Sequence, residues 1–145
     1  MGRHEQREQV FILLFQAEFH KPEEMPRQMR LYLDGNEEIG SQKTADKIEE
    51  RCQKICGKIP ELDKLIDANT EGWDTTRMGK VELTVLRLAA YEIRYDEEVP
   101  DSVAINEAVE IANQSIYGLN GGVIAGSLDL RCFCKCNSGK NSEAG

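Results

Sequence analysis

The sequence predicts an all-α fold, a single-domain bundle of about seven helices. Apolar residues recur at helical spacing through most of the chain, and no run shows the alternation of a strand. The stretch 77–113 contains two consecutive helices, of which the first is apolar on nearly every side, as is typical of a helix surrounded by others. With 145 residues the chain is long enough for one packed core.

The first two helices are predicted on either side of a break at Pro22. The first covers residues 3–19 and begins with two polar turns, after which it is predicted to be largely buried. Its apolar residues are Val10, Phe11, Leu13, Leu14, Phe15, Ala17 and Phe19. The second helix has an apolar stripe formed by Met25, Met29, Tyr32 and Leu33, and the composition of residues 34–40 predicts a loop.

Two further helices are predicted before residue 72. The third covers residues 41–56, and Gly57 is its predicted C-cap. Its apolar stripe is Ala45, Ile48, Cys52 and Ile55. Pro60 opens the fourth, which is shorter and carries Leu62, Leu65 and Ile66.

The last part of the chain is predicted to contain two clear helices, a weak helix and a disordered tail. The fifth helix covers residues 76–95, with Glu82, Arg87 and Glu92 as exceptions to its apolar surface. The sixth is capped by Asp101 or Ser102. Its stripe is Val103, Ala104, Ala108, Ala112 and Ile116. A weak seventh helix is predicted over residues 123–130, so the helical domain covers 1–130 and residues 131–145 form an irregular, disordered tail.

Charge limits the classes of partner. Lysine and arginine number 18 and acidic residues 26, so the net charge of −8 opposes nucleic acid over the whole surface. Any RNA contact is therefore expected to be local and assisted by a partner. No apolar run has the length of a membrane span and the start shows no secretion signal, so the chain is expected to be cytoplasmic.

The five cysteines predict neither a disulfide framework nor a metal site. Cys52 and Cys56 are in register with the third helix's apolar stripe and are predicted to be core residues. The spacing of Cys132, Cys134 and Cys136 does not match the usual paired ligands of zinc. No phosphate loop or catalytic constellation is evident, so we expect no enzyme activity and no cofactor.

The candidate RNA-binding residues lie at the start of the first helix. Arg3 and Arg7 share one face, with His4 beside them, and guanidinium groups suit phosphates and stacked bases. An ordinary solvated helix start explains the same residues, because Glu5 and Glu8 cancel the two arginines in formal charge.

Four segments of the chain form a distinctive series: the opening GRHEQREQVFILLFQAEF, the central RMGKVELTVLRLAAYEI, the segment VPDSVAINEAVEIAN and Tyr117-Gly118. Together they resemble the bacterial transcription antitermination factor NusB family. The resemblance covers residues 3–118, and AINEAVEIA, residues 104–112, is its most specific part. This part is a framework motif, which identifies a fold better than an activity.

The resemblance implies an RNA-binding adaptor that pairs with a small-subunit ribosomal protein acting as NusE. The pair would bind boxA RNA in nascent ribosomal RNA transcripts and act in the antitermination complex of RNA polymerase. It assigns RNA binding to Arg3 and Arg7, with His4 where arginine is usual, and partner binding to Phe15 and Glu92. Core packing of Phe15 and solvation or ion pairing of Glu92 are the alternatives.

Two other functions remain open, together with the oligomeric state. The neutral start favours a protein-only interaction module that has lost RNA binding. The same helical fold also precedes the catalytic domain of some ribosomal RNA cytosine methyltransferases, although this sequence has no such domain and catalysis by it alone is not expected. A poor seventh helix would expose apolar surface and favour a homodimer.

Overall fold

The computed structural model describes residues 2–68, 76 and 79–115, and within these ranges it is all helical. The predicted fold class is confirmed. The predicted seventh helix and the tail 131–145 lie outside the described residues. The α-helices are α1 Arg3–Gln16, α2 Met25–Asp34, α3 Gln42–Cys56, α4 Ile59–Ala68, α5 Lys80–Tyr95 and α6 Asp101–Ser115.

The chain divides into two compact units, Met1–Gly57 and Lys58–Gly145. The first contains α1, α2 and α3, and the second contains α4, α5 and α6. None of the helices in the described ranges combines the length and the apolar character that crossing a membrane requires.

In the first unit, α3 packs against α1 and α2. Its predicted stripe is confirmed, because Ala45, Ile48, Cys52 and Ile55 are the buried residues of this helix. Ser41 caps the N-terminus, where its Oγ accepts a hydrogen bond from the Thr44 backbone N–H at 3.2 Å. Gly57 is the C-cap, as predicted, and its N–H donates to the Gln53 carbonyl at 3.0 Å.

Helix α1 ends at Gln16, three residues before its predicted end. The backbone N–H groups of Ala17, Glu18 and Phe19 donate to carbonyls only three residues earlier, at 2.9–3.1 Å. Such bonds close tight turns and interrupt the α-helical ladder. The chain then passes through a 3₁₀ turn, Pro22–Glu24, into α2.

One polar residue of α1, Gln9, is buried, whereas the sequence placed it in the polar, exposed start of the helix. Its side-chain oxygen accepts hydrogen bonds from the Tyr32 hydroxyl and from the Asn36 amide, the latter at 3.1 Å. Gln9 is 6% exposed, and the two donors satisfy an acceptor that would otherwise be costly to bury. Partial burial of Tyr32 itself raises the pKa of its hydroxyl.

Gly40 immediately precedes Ser41, the N-cap of α3. Among the residues that the structure describes, Gly40 is the one with a positive φ, at 79°. Gly40→Ala is expected to lower the free energy of unfolding by about 1 kcal/mol, because an L residue is strained at this φ. A Cβ built there meets no heavy atom within 4 Å, so the cost is conformational and not steric. Chemical denaturation measures it.

Gly57→Ala is the matched control, because Gly57 has a φ of −68° that any residue adopts. We expect it to leave the free energy of unfolding unchanged or slightly raised. Equal losses in the two variants would contradict the assignment of strain to Gly40.

In the second unit, α5 packs against α4 and α6. Every residue of α5 from Leu83 to Ile93 is buried, which confirms that the helix is enclosed on all sides. Ala104 and Ala108 are buried on α6, as predicted, together with Ile111. The prediction for Val103 is wrong: its side chain is 40% exposed.

Helix α4 is bound to α5 by polar side chains. The Arg87 guanidinium donates through Nε to Asp63 Oδ1 at 2.8 Å and through Nη2 to Asp63 Oδ2 at 2.9 Å. This parallel pair is the strong form of an arginine–carboxylate contact. At the far end of α5 the Tyr95 hydroxyl donates to Glu61 Oε2 at 2.9 Å, and this bond lowers the pKa of Glu61.

Candidate nucleic-acid and partner interface

The predicted RNA-binding residues lie in the first two turns of α1. Arg3 is exposed, and His4 and Arg7 are half-buried. Within the described residues Arg3 makes no ion pair. Its guanidinium is therefore available to an anionic ligand such as a phosphate.

His4 is held by an acidic neighbour one turn along the helix. Its Nε2 lies 2.7 Å from Glu8 Oε1, and both side chains are about one third exposed, at 29% and 33%. The spacing i, i+4 brings the two side chains together on the helix surface. Because the Glu8 carboxylate already engages the imidazole, His4 is a weaker candidate for a phosphate contact than Arg3.

Glu5 also occupies the start of α1. A Cβ on Gly2, the N-cap residue, would come within 2.6 Å of Glu5 Oε2, so this carboxylate folds back over the beginning of the helix. An acidic group there is favoured by the positive end of the helix dipole. The start of α1 is therefore locally neutral in formal charge, with Arg3 and Arg7 balanced by Glu5 and Glu8.

Three aromatic rings follow one another along α1 and the turn after it. Phe11 is buried and stacks on Phe15 with ring centroids 6.4 Å apart. Phe15 is half-buried, and the edge of the Phe19 ring meets it at 5.1 Å. The sequence placed Phe19 in the buried arc, but it is 58% exposed because the helix ends before it.

The other predicted partner-binding residue, Glu92, lies in the second unit. Its side chain is buried within α5 and only 1% of the residue is exposed. Phe15 and Glu92 belong to different units and stay separate predictions.

Of the two predicted core thiols of α3, Cys52 is buried, whereas Cys56 is only half-buried. A hydrogen bond with Cys56 and burial both raise the pKa of the Cys52 thiol. The protonated thiol is neither a good nucleophile nor a metal ligand. Cys132, Cys134 and Cys136 lie outside the described residues.

Comparisons with known proteins agree on one family. The model of the NusB family matches residues 4–129. A transcription antitermination protein NusB from Agathobacter rectalis is 41% identical over 130 residues, which are 88% of this chain and 97% of that relative. Another, from Lachnoclostridium phytofermentans, is 44% identical over 118 residues, covering 81% of this chain and 87% of the relative.

A solved structure, that of T. maritima NusB, is similar over most of the chain. It superimposes with a TM-score of 0.76 and is 29% identical, and the match covers 93% of this chain and 92% of that one. The sequence relatives and the structural neighbour therefore point to the same family of helical proteins.

Proposed function

This chain belongs to the NusB family, and from that premise we propose that it is an RNA-binding transcription antitermination adaptor. In this proposal it pairs with a small-subunit ribosomal protein acting as NusE, binds boxA RNA of nascent ribosomal RNA transcripts in the cytoplasm and joins the antitermination complex of RNA polymerase. The observation that carries the proposal is the family match over residues 4–129. The family acts without catalysis, and this chain is not an enzyme.

Arg3 and Arg7 are the proposed phosphate contacts. They stand one turn apart on α1, so they can follow successive phosphates of a single strand. The exposure of Arg3 supports this role, and the His4–Glu8 pair leaves His4 the smaller part. Because Glu5 and Glu8 balance the arginines, the affinity of the chain alone for RNA is expected to be low.

A basic partner resolves the conflict between an acidic chain and an anionic ligand. The net charge of −8 attracts a cationic ribosomal protein, which in turn adds positive charge beside the RNA. Phe15 is proposed to form part of the surface that binds the partner. Glu92 is buried within α5, so its proposed contribution is to stabilise that helix and not to contact the partner directly.

The double variant Arg3→Ala/Arg7→Ala is expected to weaken binding of boxA-type RNA about tenfold, measured on the complex with the ribosomal partner. The slope of log K against log salt is negative, and its magnitude should decrease by about 1.4, since each lost phosphate contact removes about 0.7 on a single strand. Fluorescence anisotropy titrations at four salt concentrations give both quantities.

Lys47→Ala/Lys54→Ala is the matched control, because it removes the same charge from exposed positions on α3. This variant should change the salt slope by much less than the arginine variant. Equal slopes for the two double variants would remove Arg3 and Arg7 from the RNA site.

A protein-only interaction module is the second candidate. The 2.7 Å pair between His4 and Glu8 favours it, because the residue that stands in for an arginine is already engaged by a carboxylate. In this case the ribosomal partner would bind, yet the complex would protect boxA-type RNA no better than the partner alone. Ribonuclease footprinting on the two samples separates the candidates.

A further inference from the structure

A cavity of about 390 Å³ lies in the first unit, where the chain passes from α2 to α3. Its apolar lining is formed by three buried residues, Leu33, Ile39 and Ala45, which are only 4–7% exposed. Small-molecule sites are typically concave, have volumes of about 300–1,000 Å³ and combine apolar lining with a few polar groups. The cavity has the size and the apolar surface of such a site.

The charged groups that line the cavity are both acidic. Asp34 is the last residue of α2 and Glu37 begins the 3₁₀ turn Glu37–Ile39, and both are exposed. Within the described ranges neither carboxylate forms an ion pair. The C-terminus of α2 and the N-terminus of α3 border the cavity with opposite partial charges, so the two carboxylates make it a site for a cation.

The wall of the cavity is held in place by hydrogen bonds. Asn36 lines it, and the Asn36 amide donates to Gln9 Oε1 on α1 at 3.1 Å. The Asn36 Oδ1 accepts a hydrogen bond from the Glu38 backbone N–H at 3.0 Å. Gly40 also lines the cavity, and a Cβ built on it would meet no heavy atom within 4 Å, so this side is open. A preformed wall lowers the conformational entropy that a ligand must remove on binding.

We propose that this cavity binds an alkyl polyamine such as spermidine. An ammonium group would lie at the carboxylates of Asp34 and Glu37, and the methylene groups would cover the apolar lining. A divalent metal ion would use the carboxylates but leave that lining unused, and an RNA phosphate would be repelled. This inference depends on neither the RNA contact nor the ribosomal partner proposed above.

Titration of the full chain with spermidine, followed by ¹H–¹⁵N NMR, tests the site. We expect saturable shifts of the backbone amides of Gly40 and Ser41, which line the cavity. Glu37→Gln should weaken binding about threefold and Asp34→Asn/Glu37→Gln about tenfold, as loss of one or two exposed ion pairs does. The spectra also verify that the variants are folded. An absence of saturable shifts at these amides would overturn the proposal.

Glu38→Gln is the matched control for Glu37→Gln. Glu38 is the next residue of the same 3₁₀ turn and is equally classed as exposed, but it does not line the cavity. Its carboxylate instead acts on Tyr32, whose pKa it helps to raise after the larger effect of burial. We expect less than about a 1.5-fold change in spermidine affinity. Equal losses in the two variants would mean that only the general negative field attracts the ligand, against the proposal.

The apolar lining is tested with a series of n-alkylamines from ethylamine to hexylamine. Each added methylene should strengthen binding about twofold, because a half-buried methylene gains about half of the transfer free energy of a buried one. Mg²⁺ should bind more weakly than spermidine at the same ionic strength. An affinity that does not rise with chain length, or Mg²⁺ binding as tight as that of spermidine, would reduce the cavity to an acidic surface and contradict the assignment.

An ammonium group on an alkyl chain also occurs in lysine side chains, so a peptide distinguishes the two sources. Acetylated and amidated trilysine carries three ammonium groups, as spermidine does. Tighter binding of spermidine at the Gly40 and Ser41 amides would support a free polyamine. Tighter binding of the peptide at the same amides would make a protein segment the occupant and would overturn the small-molecule assignment.

Discussion

Arg87→Ala is expected to lower the free energy of unfolding by about 3 kcal/mol. Breaking a buried ion pair usually costs about 3–5 kcal/mol, because the remaining charge is left without its partner. We expect the lower end of this range. The Arg87 side chain is 10% exposed, but that of Asp63 is 25% exposed, so its carboxylate regains some hydration once the arginine is removed. The melting temperature should fall by about 8 °C in a thermal scan.

Lys54→Ala is the comparison for this variant. Lys54 Nζ lies 3.1 Å from Glu50 Oε1, but these side chains are 61% and 66% exposed. An exposed pair contributes about 0.3–0.5 kcal/mol, so the melting temperature should hardly move. If Arg87→Ala were as mild as Lys54→Ala, the pair between α4 and α5 would have no structural importance.

Leu86→Ala is expected to cost about 3 kcal/mol of unfolding free energy. Leu86 is 0% exposed and lies in the enclosed part of α5. The variant loses the transfer free energy of the removed atoms and leaves a cavity, and the sum for a buried leucine is about 2.7–5 kcal/mol. Urea denaturation followed by circular dichroism measures the loss.

Val103→Ala tests whether this cost arises from enclosure. Val103 is 40% exposed at the start of α6, so its truncation removes little buried area and should cost less than about 0.5 kcal/mol. A loss at Val103 that matched the loss at Leu86 would show that exposure does not separate the two sites.

Hydrophobic periodicity correctly predicted the helices that bury one face and expose the other. The stripe of α3 is a clear case, because each of its four predicted residues is buried and the predicted C-cap is Gly57. Local signals suffice there, since hydrophobic spacing and cap chemistry act within a few residues.

Long-range partners explain why two polar residues are buried. Arg87 is an exception to the apolar surface of α5, and it is buried because Asp63, 24 positions away, neutralises it. Gln9 is buried because Tyr32 and Asn36 supply donors from beyond the next turn. No periodicity within one helix reveals such pairs.

The candidate site was predicted only as far as its residue types. The contact between His4 and Glu8 follows from the i, i+4 spacing and was available in the sequence. The exposure of Phe19 could not be predicted from the sequence, because it depends on the residue at which α1 ends. Helix ends are decided by competing turn geometries. The roles of Arg3, Arg7, Phe15 and Glu92 stay predictions.

The side-chain oxygen of Gln9 is shared by two donors that lie 23 and 27 positions further along the chain. Loss of the Tyr32 hydroxyl or the Asn36 amide removes one of its donors, and loss of the acceptor strands both donors. Substitutions at positions 9, 32 and 36 are therefore expected to have non-additive effects on the free energy of unfolding.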